Sequence, residues 1–222
     1  MEPLTNSETL ADRAYGVILD AICDGTLKPG ERLTQASVAE RLNVSRQPIH
    51  NALQVLKAQG FVHEHGRRGL CVAPIDPNLF EAIYQLRSAV EPLAVRLATA
   101  RAEKADFHHG RKLIEQGVKA AAKRGGALIA ADMRFHGWIY DLSDNPLIVE
   151  TMRLNWRHLQ RGMGEVLRHP KLSKRMWDEH GAILDAMEKG DADRAALLIH
   201  GHVATAYEDV RTILTGEFDV RT

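Results

Sequence analysis

Apolar side chains recur every three or four residues along most of this chain, and two short stretches break that rhythm. Val38, Ala39 and Leu42 mark one helical face, and Ile49, Ala52, Leu53 and Leu56 mark another. Both sets keep the i, i+3, i+4 spacing of a buried stripe. Asn43 sits between them, and Asn tolerates the left-handed backbone of a sharp bend. Ser45 suits the N-cap of the second helix. Pro48 falls in its first turn, where backbone N–H groups have no intrahelical partner to lose. Residues 61–65 and 70–73 read instead as short strands around Gly66-Arg67-Arg68-Gly69, where glycine on either side of an Arg pair predicts a tight exposed turn.

From Asn78 the pattern is helical throughout. It predicts helices over 79–101, 105–123, 127–142, 147–167, 173–189 and 192–214, with Gly, Pro and Asn at the junctions. On the first of these, Leu86, Val90, Leu93, Ala94 and Leu97 hold the helical spacing. Pro74 and Pro77 lie close together before it, and proline resists helix continuation. The expected architecture is therefore mainly α. An N-terminal winged helix-turn-helix over 1–74 precedes a linker at 75–78 and an all-α helical bundle over 79–222.

Helix-turn-helix pairs also occur in proteins that never touch DNA. A basic hairpin directly after the pair favours DNA, because such a wing reaches phosphates or a minor groove. The chain is neutral overall, with 29 basic and 29 acidic residues. Yet residues 41–68 hold Arg41, Arg46, Lys57, Arg67 and Arg68 against Glu64 alone. Ser45, Arg46, Gln47 and His50 form the outward N-terminal end of the second helix, the part that meets base edges. There is no run of about 18 apolar residues and no signal-peptide profile. Cys23 and Cys71 suggest neither a disulfide nor a metal knuckle, so a cytoplasmic location is expected.

The segments TLKPGERLTQASVAERLNVSRQPIHNAL and LKAQGFVHEHGRRGLCV resemble the winged-helix domain of GntR-family bacterial transcription regulators. The resemblance spans about residues 8–74. It departs at His50 and Asn51, where the family usually has Arg and Glu, and at Ala36, where some members carry Arg. It implies base contact by Arg46, and an operator unlike the family's commonest sites.

The bundle carries the other candidate chemistry. Asp132 and His136 lie four apart, so they share one helical face, beside Ile129, Phe135, Ile139 and Tyr140. His180 has Ile183, Leu184 and Met187 on its side of the next-but-one helix, and His202 is in register with Leu198, Ile199 and Ala206. Burying such groups is costly unless they pair or bind a metal. One carboxylate and three imidazoles make a borderline-hard N/O metal site. Any of these histidines alone is more often a satisfied core or surface residue. The runs LRSAVEPLAVRLA, DMRFHGWIYDLSDNPLI and DEHGAILDAMEKGDADRA, with the late His202, resemble the FCD effector domain of one GntR subfamily. That resemblance implies a divalent transition metal (zinc, nickel or manganese) held by Asp132, His136, His180 and His202. His200 falls on a different face. Arg87 either grips an effector carboxylate or pairs with Glu91 as an i, i+4 salt bridge.

The expected function is a homodimeric transcription regulator of the repressor kind. It binds a pseudo-palindromic double-stranded operator and responds to a small carboxylate effector at the metal. Two alternatives stand beside it: a constitutive DNA-binding dimer with a structural metal, and a metal-dependent hydrolase. The absence of HExxH, paired Glu-x-x-His motifs and a spare acid or base argues against the hydrolase.

Overall fold

The computed structural model describes residues 8–66, 69–123, 126–166 and 170–214, so Arg67 and Arg68 lie outside the described residues. The chain divides into two compact units, one through Ile75 and one from Asp76.

The first unit contains α1 (Leu10–Cys23), β1 (Arg32–Leu33), α2 (Gln35–Leu42), α3 (Arg46–Ala58), β2 (Val62–Glu64) and β3 (Leu70–Val72). α1 has no counterpart among the expected elements, although Ala14, Ile18 and Ile22 keep helical spacing and are buried. It starts with a reciprocal capping box between Thr9 and Asp12 and packs on α3. β1 is also unexpected, being only two residues long. It joins a three-stranded antiparallel sheet of order β1-β3-β2, with His63 opposite Cys71. Asn43 closes α2 in the left-handed region at φ 52°, as its position predicts. Ser45 stands at the N-cap of α3, but its side chain makes no capping hydrogen bond. Thr34 does cap α2, accepting from the Ser37 N–H. Ile49, Ala52, Leu53 and Leu56 form the buried face of α3.

The second unit is all helix among the described residues: α4 (Pro77–Arg101), α5 (Lys104–Lys123), α6 (Gly126–Leu142), α7 (Pro146–Val166), α8 (Pro170–Glu188) and α9 (Ala192–Leu214). α9 packs on α4 and α8, and α5 packs on α6 and α8. α4 begins two residues before its expected start, with Asp76 accepting from the Asn78 N–H and Pro77 in the first turn. α8 likewise starts at Pro170, since proline opens a helix as readily as it ends one.

The apolar stripe that announces α4 is not its most buried face. Leu93 is exposed, whereas Tyr84, Arg87, Glu91, Ala94, Val95 and Ala98 are buried. The helix turns a charged pair inward because a polar centre lies there. Pro92 interrupts α4 internally and lacks the N–H that would bond the Ser88 carbonyl. That carbonyl faces His200 Nδ1 of α9 at 3.4 Å. Gly117 permits a close crossing: a Cβ there would stand 2.0 Å from the Trp177 ring. No described helix is long and apolar enough to cross a membrane.

Candidate metal centre and DNA-reading face

Asp132 and His136 come from α6, His180 from α8 and His202 from α9, and all four are buried. One ligand atom from each lies within 4.8 Å of the others. Asp132 Oδ1 is 3.4 Å from His180 Nε2 and 3.7 Å from His136 Nε2. His180 Nε2 is 3.3 Å from His202 Nε2. Two ligands of one transition-metal ion lie at most about 4.4 Å apart, so the set needs to contract only slightly around a shared ion.

The surroundings settle which atoms face inward. His202 Nδ1 meets Glu179 Oε2 at 2.8 Å, and His136 Nδ1 faces Glu91 Oε2 at 3.2 Å. A carboxylate beside Nδ1 favours the proton there, leaving the Nε2 lone pair toward the centre. Asp132 Oδ1 is buried without a hydrogen-bond partner. Burial pushes the His180 pKa well down, and His202, His136 and Arg87 add to the effect, so its imidazole is neutral. Lone pairs and a carboxylate oxygen thus crowd together with few protons to share. Such a donor set fits a cation, and its chemistry alone does not choose among zinc, nickel and manganese.

Arg87 borders this cluster. Its Nε donates to Glu91 Oε1 at 2.7 Å, and its Nη2 lies 3.4 Å from His136 Nε2. The guanidinium sits over the rings of Trp156 and Tyr84, at 4.6 and 5.1 Å from their centroids. Glu91 Oε1 also accepts from the Tyr140 hydroxyl at 2.6 Å, which in turn accepts from Trp156 Nε1 at 3.1 Å. Burial alone would raise the Glu91 pKa, but Arg87 and then His136 hold it far below the usual carboxylate range. The Arg87–Glu91 salt bridge is therefore formed. It is a buried pair, whose partners depend on one another far more than those of a surface pair.

Sequence reasoning paired Glu91 with Arg87 but missed its approach to His136 and Tyr140, and it missed the parts played by Glu179, Tyr140 and Trp156. Glu179 precedes His180 directly, so the two point to different sides of α8. Only the packing of α8 on α9 brings Glu179 to His202. His200 is exposed on another face, as expected, and His108 and His109 are exposed too.

On the first unit, Arg46 and Gln47 are exposed at the start of α3. Gln47 Nε2 donates to Asn51 Oδ1 at 3.1 Å. His50 is half-buried, with Nδ1 2.9 Å from Gln35 Nε2 of α2. The amide donates, so Nδ1 accepts and the ring proton sits on Nε2. Lys57 is paired with Glu64, which reduces the positive charge of this face.

The chain is similar to known proteins along both units. Residues 10–72 match the bacterial regulatory proteins of the gntR family, and residues 82–205 match the FCD domain. The Nta operon transcriptional regulator of Aminobacter aminovorans is 25% identical over 189 residues, covering 85% of this chain and 89% of the relative. The transcriptional regulator LutR of Bacillus subtilis is 26% identical over 227 residues, covering 89% and 98%. The solved structure of E. coli McbR/YncC shares the fold with a TM-score of 0.80 at 20% identity, covering 93% of this chain and 99% of that one. The relatives are transcription regulators, not enzymes, and the hydrolase alternative falls with them. By these matches and by the winged helix and six-helix bundle, this chain belongs to the GntR family of bacterial transcription regulators, in the group that carries an FCD domain.

Proposed function

We propose that this chain is a cytoplasmic homodimeric repressor whose operator affinity is set by a small organic acid bound at a metal in the FCD domain. The observation that carries this reading is the placement of Arg87 Nη2 only 3.4 Å from His136 Nε2, at the edge of the Asp132–His136–His180–His202 cluster. A carboxylate there meets a guanidinium donor and, when a metal is bound, a Lewis acid that coordinates its oxygen. Asp132, His136, His180 and His202 hold the ion. Glu91 and Glu179 orient two of the imidazoles, and Arg87 orients the acid.

Exposed Leu93 on α4 and Leu197 on α9, helices that pack together, offer apolar surface for the two-fold dimer. Such a dimer presents two copies of α3 to a pseudo-palindromic operator, with Ser45, Arg46, Gln47 and His50 at the base edges and Arg67 and Arg68 at phosphates. The acid changes operator affinity only by binding one arrangement of the dimer more tightly than the other.

The test pairs elemental analysis with operator titration in the presence and absence of an acid found by thermal-shift screening. His180→Ala loses metal and loses the acid's influence on operator binding, while basal operator binding stays. Unchanged acid sensitivity in a metal-free His180→Ala protein sinks the metal-anchored reading. Operator binding indifferent to every acid would leave the constitutive dimer.

A further inference from the structure

Arg175 and Glu179 lie four residues apart on α8, and His202 and Asp209 lie seven apart on α9, so each pair shares one helical face. α8 packs on α9, and the two faces meet around a narrow cavity lined by all four side chains. The cavity holds about 20 Å³, room for about one water molecule. Exposure falls across its lining, from 43% for the side chain of Arg175 through 29% for Glu179 to 3% for His202. The cavity therefore leads inward from the surface to one member of the buried cluster. Rigid rings stand against the other two histidines: Phe135 and Trp177 against His180, at 4.3 and 4.8 Å between centroids, and Trp156 against His136 at 5.0 Å.

Arg175 carries two ion pairs across this opening. Its Nη2 pairs with Asp209 Oδ2, and its Nε stands 3.5 Å from Glu179 Oε1. The other oxygen of Glu179 meets His202 Nδ1 at 2.8 Å. Asp209, Arg175, Glu179 and His202 thus form one line of contacts from the surface to the cluster. The guanidinium neutralises both carboxylates and fills the space between them. Part-exposed ion pairs are weak and screened by salt, so these two break and re-form readily. The cavity wall includes Met163 and Met176, unbranched side chains that adapt their packing easily. This opening can therefore widen without displacing an aromatic ring.

We propose that this opening is the path by which a divalent cation reaches the cluster, and that Arg175 is its latch. When Arg175 lets go of Asp209 and Glu179, two carboxylates face the incoming cation, which replaces the guanidinium as their counter-charge on the way to His202. Return of Arg175 closes the path. The latch sets how fast an ion enters and leaves rather than how tightly it is held, because the partners of Arg175 are Asp209 and Glu179 and not the four ligands. The inference rests on the proposed metal centre and deepens it.

Arg175→Ala removes the latch and leaves Glu179 on His202. The full-length chelated protein is mixed with zinc, nickel or manganese, each alone, and loading is followed by stopped-flow tryptophan fluorescence. Release into excess chelator is followed by the same signal. In Arg175→Ala both rates rise about tenfold, the order expected from losing two part-exposed ion pairs, and their ratio, the Kd, changes less than about threefold. Asp209→Asn loosens the latch from its other side and raises the release rate as well. Lys174→Ala breaks the neighbouring surface pair with Asp178 and leaves both rates at the wild-type values. A Kd that weakens about tenfold through release alone makes Arg175 a support of the bound ion and overturns the latch. Rates unchanged in Arg175→Ala and Asp209→Asn overturn it too, as do rates raised equally by Lys174→Ala. In each of these cases the metal centre itself stands. A wild type that takes up none of the three ions removes the centre, and the path with it.

Discussion

At the scale of single residues, the proposed metal centre leans on groups that would not touch the ion. Glu179 holds Nδ1 of His202, and carboxylates in that position raise ligand basicity and fix ring orientation. Glu179→Gln keeps the shape and loses the charge. Metal affinity falls about 10–100-fold by competition with a calibrated chelator, with the helical circular dichroism unchanged. An unaltered affinity places Glu179 outside the site's working parts. Arg46 is the corresponding residue of the first unit. Arg46→Ala weakens specific operator binding by about 1–3 kcal/mol if it makes a bidentate base contact. Titrations on operator and scrambled duplexes check this, and an unchanged ratio between them rules the contact out. His50 is a poorer candidate for the same contact, because Gln35 already holds its Nδ1. The sequence resemblance locates that position but says nothing of its neighbour on α2.

Among the elements, the crossing of α5 and α8 is the tightest glycine contact in the bundle among the described residues. Gly117 lets the Trp177 ring lie where a Cβ would go, so Gly117→Leu forces backbone or ring displacement. Overpacking of this kind typically costs about 1–3 kcal/mol, and the clash here puts Gly117→Leu at the upper end. Urea unfolding of the metal-free protein measures it, and a midpoint equal to wild type contradicts the crossing. How legible each element was follows from what it is built on. α2 and α3 show in the sequence because their apolar spacing and their bend residue Asn43 are local signals. Asp132 and His136 show because four residues apart on one helix is also local. α4 shows as a helix by its apolar spacing, but of that stripe Ala94 is buried and Leu93 exposed, and hydropathy alone does not foretell that Arg87 and Glu91 turn inward. β1 exists only because Leu33 pairs with Leu70 across the sheet. Glu179 acquires its partner His202 from α9, 23 residues downstream, and nothing near it in sequence foretells the pairing.

For the molecule as a whole, the division at residue 75 puts every tryptophan on one side. Trp138, Trp156 and Trp177 are the chain's three, and all belong to the second unit. Trp156 lies 5.0 Å from the His136 ring and Trp177 4.8 Å from that of His180, centroid to centroid. Intrinsic tryptophan fluorescence therefore reports the unit that carries the Asp132–His136–His180–His202 cluster alone. Adding zinc, nickel or manganese to chelated protein changes that emission. A metal at about a hundredfold its Kd raises the fluorescence-detected melting temperature by roughly 5–10 °C. A melt that ignores all three ions counts against the centre. The same division gives α4 a mechanical character. Its internal Pro92 stands beyond the Arg87–Glu91 pair, and the ten residues from Arg87 back to Pro77 run as unbroken helix, about 15 Å of it. That length is a push-rod with no joint. Its near end is gripped by the charged pair, and its far end lies one residue past the seam between the units. A tilt imposed at Arg87 has no loop within those ten residues in which to dissipate, so the stretch from Pro77 to Arg87 moves as one body.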